Sequence, residues 1–161
     1  MADTKEIIEA GKMKGVVHCL TIPLHNETAL LPNAAIAEVI GYKEPAPLAD
    51  APEWFLGYID WRDVRVPFIS FEAMSGKEIQ MPRKNSRIAV LNTLNANAKL
   101  PYVAILAQGI PSLAIVQEKG LVDKAADGRP GVGAIVELGG SEAIIPDIDE
   151  IEQRLLQLSL S

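Results

Sequence analysis

The sequence predicts a mainly β protein of two packed five-stranded β-barrel subdomains, with a short helix near residues 33–40 and a C-terminal helix. Three observations predict it. Apolar runs of four to eight residues recur along the chain, bounded by Gly, Pro, Asn or Asp, which is the punctuation of short strands. Nine such runs at this spacing favour closed or nearly closed antiparallel sheets, because closure removes sticky edges. The polar stretch "SGKEIQMPRKN" at 75–85 divides the runs and favours two small barrels over a single barrel of nine strands.

Taken in order, residues 1–14 read as an N-terminal tail or short helix, and residues 15–158 as a single domain made of the two subdomains. Strands are expected over Val16–Ile22 and Thr28–Leu31, joined by a turn marked by Pro23 and Asn26. "AAIAEVIG" (34–41) is Ala-rich and follows Pro32-Asn33, so a short helix capped by Asn33 is expected there. Strands follow over Tyr58–Arg62, Val64–Phe71, Ser86–Leu94, Tyr102–Gln108 and Ala114–Gln117. Pro67 has no amide proton to donate and belongs at an edge or a bulge. Gly133–Leu138 and Glu142–Ile145 form a hairpin, since Gly139-Gly140 can adopt positive φ at both turn positions. In "PDIDEIEQRLLQL", Asp147 sits at the N-cap with Glu150 three residues on, and Ile148, Ile151, Leu155 and Leu158 recur at helical spacing.

The bulk composition narrows the function. With 48% hydrophobic and 22% charged residues in 161, the chain can fold as a globular domain. Its 15 Lys and Arg against 21 Asp and Glu give a net charge of −6, and no basic cluster exceeds Arg83-Lys84 with Arg87. Nucleic-acid binding is therefore not expected. One cysteine, Cys19, excludes an internal disulfide and a multi-cysteine zinc site. The N-terminus lacks the apolar core of a secretory signal, and no run reaches the ~20 apolar residues of a membrane span. The expectation is a cytoplasmic protein without direct membrane insertion.

Catalytic chemistry finds little to stand on. His18 and Cys19 are neighbours in a strand and point to opposite faces, and His25 lies in a turn. "GKMKG" (11–15) and "DGRPGVG" (127–133) are Gly-rich but lack the context of a phosphate loop. "DKAADG" (123–128) has the first, fifth and sixth positions of a calcium loop, but Ala125 and Ala134 occupy the third and twelfth. The carboxylates at 147, 149, 150 and 152 are accounted for by helix capping and the helix dipole. No catalytic residue, metal or cofactor is expected, which favours a binding module.

"GYIDWRDVRVPFISF" (57–71) resembles the signature of CheW-domain adaptors, roughly Gly-x-x-Asn-Leu-Arg-Gly-x-x-x-Pro-x-x-Asp-Leu, with Gly57, Arg62 and Pro67 in register. "LPNAAIAEVIGY" (31–42), "APEWFLGYID" (51–60) and "GRPGVGAIVELGGSEAIIPDIDEI" (128–151) are similar to flanking blocks of that family. The resemblance covers about residues 15 to 158 and implies two packed five-stranded barrels. It also implies a scaffold joining a methyl-accepting chemoreceptor to the regulatory domain of a CheA-type histidine kinase. Arg62 matches the arginine of the family's hairpin, and Ile36, Glu38 and Gly57 match positions in its docking surfaces. The chain departs from the signature at Asp60, Trp61 and Asp63, and at Ser70-Phe71. Carboxylates on both sides of Arg62 imply a partner of different charge, as in a chemosensory pathway that governs twitching by type IV pili.

Strand alternation places Tyr58, Asp60 and Arg62 on one face of the hairpin and Ile59 and Trp61 on the other, so Arg62 is expected to project at the tip. The plain alternative is that Arg62 pairs with Asp60 or Asp63 as surface decoration, worth ~0–1 kcal/mol. A second surface is expected where Val103, Ile105, Ile110 and Leu113 line a groove for a receptor helix, with ordinary core packing as the alternative. Two rival functions remain. One is a β-barrel enzyme or ligand-binding domain using a pocket between the barrels. The other is an assembly protein that associates through strand edges, against which Pro67 argues.

Overall fold

The computed structural model describes residues 16–117, 121–124 and 128–158. The tail or helix expected at 1–14 lies outside the described residues, as do Ala125 and Asp127 of the loop weighed for calcium. Among these residues eleven strands form two sheets. The first is six-stranded, in the order β8 (Ser112–Gln117), β1 (Val16–Pro23), β2 (Thr28–Pro32), β11 (Ser141–Pro146), β10 (Val132–Leu138), β9 (Leu121–Lys124). The second is five-stranded, in the order β3 (Ile36–Gly41), β6 (Arg87–Asn92), β7 (Tyr102–Ala107), β5 (Val64–Ile69), β4 (Phe55–Trp61). The mainly β class and the C-terminal helix are as expected. The barrels are corrected to open sheets, and one sheet has six strands, because the short run Leu121–Lys124 adds an edge that carries no apolar periodicity.

The chain path corrects the expected division. Residues 75–85 connect β5 to β6 within the five-stranded sheet and do not separate two halves. The chain builds β1 and β2, crosses to complete the second sheet, and returns to the first at β8.

The helix expected near 33–40 is also corrected. Asn33–Ala35 make one 3-10 turn without a side-chain cap, and Ile36–Gly41 form β3 against β6. A helix this short has little stability of its own in water, whereas Ile36, Val39 and Ile40 suit a strand that completes a sheet. The strand expected to reach Phe71 ends at Ile69. Ser70 Oγ accepts the Ala73 N–H and starts the short helix α1 (Phe71–Met74).

Pro67 sits inside β5 without an unmet donor. It faces Tyr58, whose own N–H and C=O bond to Ala46 at 2.9 Å, so the Tyr58–Pro67 pair needs no bond across it. On its other side β5 joins β7 only from Phe68 onward.

Each sheet has two buried faces. Ala89, Leu91, Val103 and Ile105 belong to the large core between the sheets, while Ile88, Val90, Ala104 and Leu106 pack in a second cluster inside the five-stranded sheet. A third cluster, including Val17, Cys19, Val116 and Ile145, fills the six-stranded sheet. This explains the excess of apolar residues in 102–116. The C-terminal helix α2 (Ile148–Leu156) buries Ile148, Ile151 and Leu155 in the shared core, and Asp147 caps it by accepting the Glu150 N–H. Burial contributes roughly 2 kcal/mol per side chain against about 1 kcal/mol for the cap, so packing decides where the helix lies.

Two buried carboxylates join the sheets reciprocally. Glu72, on the α1 side, accepts the backbone N–H of His25 from the β1–β2 turn at 2.9 Å. Glu152, on α2, accepts those of Leu94 and Asn95 from the β6–β7 connection at 2.8 and 3.4 Å. Burial pushes both carboxyls above the usual carboxylate range, outweighing the amide bonds that favour the charged form. A raised carboxyl contributes stability that is complete below the unfolded range and is lost as pH rises through the folded value. These two sites therefore make stability fall as pH climbs above the ordinary carboxylate range. Glu72→Gln, which keeps an acceptor for His25, is expected to flatten that slope in urea unfolding measured at pH 5 and pH 7.

Candidate docking interface

The hairpin of β4 and β5 turns in two residues, with Trp61 opposite Val64 and Arg62-Asp63 between them. Both turn residues have positive φ, 48° and 62°, as a type I′ turn requires. Such turns favour Asn-Gly; an arginine at the first position carries a local strain of roughly 1 kcal/mol or more. The side-chain alternation is as expected up to the turn: Ile59 and Trp61 are buried, Asp60 and Arg62 exposed.

Arg62 does not project freely, and it pairs with neither adjacent carboxylate. Its guanidinium folds back over the Trp61 ring, 4.8 Å from the centroid, and lies 3.3 Å from Glu38 Oε1. The same oxygen accepts the Trp61 indole N–H at 2.7 Å. Trp61 is buried in the inner cluster, edge-to-face with Tyr102 at 4.8 Å, so its N–H needs that acceptor. The Arg62–Glu38 pair is exposed and worth ~0–1 kcal/mol, so its effect is to orient the guanidinium.

Glu38 lies on β3 and Trp61 on β4, the two edge strands of the five-stranded sheet. Side chains thus latch edges that no continuous ladder joins. One backbone bridge, Ala46 to Tyr58, assists. It requires Gly57: at φ 136° a Cβ there would stand 2.3 Å from the Ala46 carbonyl oxygen. Asp60 offers its carbonyl to Lys43 Nζ at 2.6 Å, and Arg65 stacks on Tyr58 at 3.7 Å from the ring centroid.

The expected residues therefore divide. Glu38, Asp60, Arg62 and Asp63 are gathered at the turn end of the hairpin, Gly57 sits further back on β4 against Ala46, and Ile36 instead packs against the core between the sheets. The expected groove is corrected. Val103 and Ile105 are core residues, because both faces of β7 are covered, while Ile110 and Leu113 lie on the surface with Ile115. Sequence reasoning missed Lys43 and Tyr102, which only tertiary contact brings to the hairpin. It also missed Ile115, which alternates with Leu113 along β8 and was legible on that ground.

A family model described as "CheW-like domain" matches residues 18–155. The fold is similar to the crystal structure of scaffolding protein TtCheW from Thermoanaerobacter tengcongensis, with a TM-score of 0.69 and 17% identity over 81% of this chain and 83% of that one. No curated protein matches the chain.

Two substitutions test the hairpin geometry. Gly57→Ala should cost about 3 kcal/mol in urea unfolding, because backbone and not a flexible side chain occupies the space. Asp63→Gly should stabilise by roughly 0.5–1 kcal/mol, through relief of positive φ at the second turn position.

Proposed function

The chain belongs to the CheW-like domain family, and from that premise we propose that it is a non-enzymatic adaptor of chemotaxis-type signalling. It couples the cytoplasmic tip of a methyl-accepting chemoreceptor to the regulatory domain of a CheA-type histidine kinase, acting in the cytoplasm. Among the described residues no helix is long and apolar enough to cross a membrane. The observation that carries the reading is the Glu38–Trp61–Arg62 unit. It holds an exposed arginine in one orientation, on a strained turn, over a buried indole. Strain retained at a surface position is the mark of a recognition element, and arginine and tryptophan dominate binding hot spots.

The partner contact centres on Arg62, with Asp60, Asp63 and Lys43 around it. Gly57 and Ile36 act by shaping the backbone and the neighbouring core. Because Glu38 holds the guanidinium and the exposed Asp60 and Asp63 flank Arg62 along the chain, the complementary face carries more positive charge than a partner chosen by a bare arginine. That difference supports a kinase of a divergent pathway, such as the one controlling type IV pilus twitching. A pull-down that recovers only a flagellar kinase and its receptors contradicts the pathway assignment and leaves the adaptor role intact.

The rival reading, a small-molecule site between the sheets, calls for an apolar pocket with converging titratable groups. A cavity of about 270 Å³ does lie near the sheet junction. Its lining is polar: Glu27 Oε1 is bound there by Lys77 at 2.7 Å and Arg129 at 2.6 Å. These ion pairs link loops and favour the adaptor reading.

Purified chain should bind a CheA-type regulatory domain, and Arg62→Ala should weaken that binding about 30-fold, the equivalent of ~2 kcal/mol at a hot spot. Circular dichroism should show the variant folded. Undiminished binding by a folded Arg62→Ala protein returns Arg62 to an ornamental surface role.

A further inference from the structure

Among the described residues the two sheets have four edges, and three of them contain bulges or charged residues of the kind that discourage pairing with another chain. β3 is bulged between Ile36 and Glu38 and bears that carboxylate. β4 is bulged between Phe55 and Gly57 and bridged by Ala46. β9 contains Asp123 and Lys124 within four residues. β8 has none: Ser112–Gln117 contains no charge, proline or bulge. Among the described residues its one sheet neighbour is β1, which is likewise free of acidic residues, lysine and arginine. On it Leu113 and Ile115 are 75% and 67% exposed, with Ile110 at 59% just before it. A long, uncharged, apolar edge is what natural sheets avoid unless it has a partner.

The register shows which backbone groups are free. In the β1–β2 ladder Cys19 faces Pro32 and Pro23 faces Thr28. Proline has no N–H to exchange, so these are non-bonded pairs, and Cys19, Thr21 and Pro23 turn their backbone groups away from β2. Consistently, the Pro23 carbonyl accepts the Gln108 N–H at 2.9 Å. Cys19 and Thr21 therefore address Ala114 and Ser112. Leu113 and Ile115 direct their N–H and C=O groups outward, and these are the residues whose apolar side chains are exposed.

We propose that β8 pairs antiparallel with β8 of a second copy of this chain, about a two-fold axis through Ala114, joining the two six-stranded sheets. In this register Leu113 lies opposite Ile115 of the second copy, and Ile115 opposite its Leu113. Outward backbone groups meet outward backbone groups, and apolar side chains meet apolar side chains, so one strand satisfies its twin. This self-complementarity selects a copy of the chain over a foreign strand. Charge does too: a chain of net charge −6 can bring two copies together most cheaply along a stretch with no carboxylates. The contact is smaller than the ~800 Å² per partner of a stable interface, so the dimer is weak and concentration-dependent. It uses the end of the six-stranded sheet, away from Arg62, and does not depend on the adaptor role.

Sedimentation velocity on the full chain from about 10 µM to about 1 mM should show a rising dimer fraction. Ile115→Lys and Leu113→Glu should each remain monomeric throughout, with unchanged unfolding midpoints because both positions are exposed. Amide exchange at Leu113 and Ile115 should slow at least tenfold at the high concentration, while Ala114, already turned to β1, stays as it was. A chain monomeric at every concentration overturns the proposal, as does a dimer indifferent to both substitutions. A receptor helical hairpin that covers the patch while exchange at Leu113 and Ile115 stays concentration-independent overturns it too.

Discussion

The architecture depends on two carboxylates that cross between the sheets in opposite directions. Glu72 reaches from the five-stranded side to the His25 amide, and Glu152 from the six-stranded side to the amides of Leu94 and Asn95. Burying a carboxylate is costly, as the upward displacement of both titrations records. The cost is tolerated because the alternative is worse at three backbone N–H groups in turns, which no ladder satisfies. Apolar packing alone would let the sheets slide, since the hydrophobic effect has no direction. The carboxylates add direction, pinning the β1–β2 turn and the β6–β7 connection. The doubly crossing chain path makes the joint harder to open, because the six-stranded sheet is assembled from segments on both sides of the continuous stretch that builds the five-stranded one.

From that rigid joint the geometry of the hairpin follows. The five-stranded sheet curls until β3 and β4, its outermost strands, come within side-chain reach, and Glu38 spans the gap to Trp61 and Arg62. Gly57 lets Ala46 approach closely enough to exchange a pair of backbone hydrogen bonds with Tyr58 across the seam. Each contact is small, yet together they leave the guanidinium few choices: stacked on the indole on one side, held by a carboxylate on the other. Preorganisation of this kind lowers the side-chain entropy a partner must immobilise on binding.

Much of this was legible in the sequence where the signal was local. Alternation marked the buried face of β4, Gly139-Gly140 marked the last hairpin, and Asp147 with the Ile148, Ile151, Leu155 series marked the C-terminal helix. Residues 34–41 misled because alanine propensity favours helix over a stretch too short to hold one, and the deciding partner, β6, lies some fifty residues away. Topology was illegible for the same reason: the polar linker at 75–85 looks like a boundary, but strand pairing and not composition assigns strands to sheets. The site residues were named from the family signature, whereas the Glu38–Arg62 contact across a seam left no local trace. Positive φ at Arg62 was equally invisible, since nothing in the residue type asks for it.

The two sheets solve the edge problem differently, and the difference locates their surfaces. A curled sheet can cover its edges by bringing them together, as the five-stranded one does with a latch and one bridge; the exposed product is a compact polar seam with Arg62 at its end. The six-stranded sheet has an added strand, β9, and its edges β8 and β9 lie five positions apart with no latch between them among the described residues. Its β8 edge is thus left with outward backbone groups and apolar side chains on the same residues. The polar seam at one sheet and the open strand edge at the other, the two surfaces proposed for recognition, are consequences of how far each sheet closes. A scaffold gains from that separation, because a contact made at β8 leaves the Arg62 seam unobstructed.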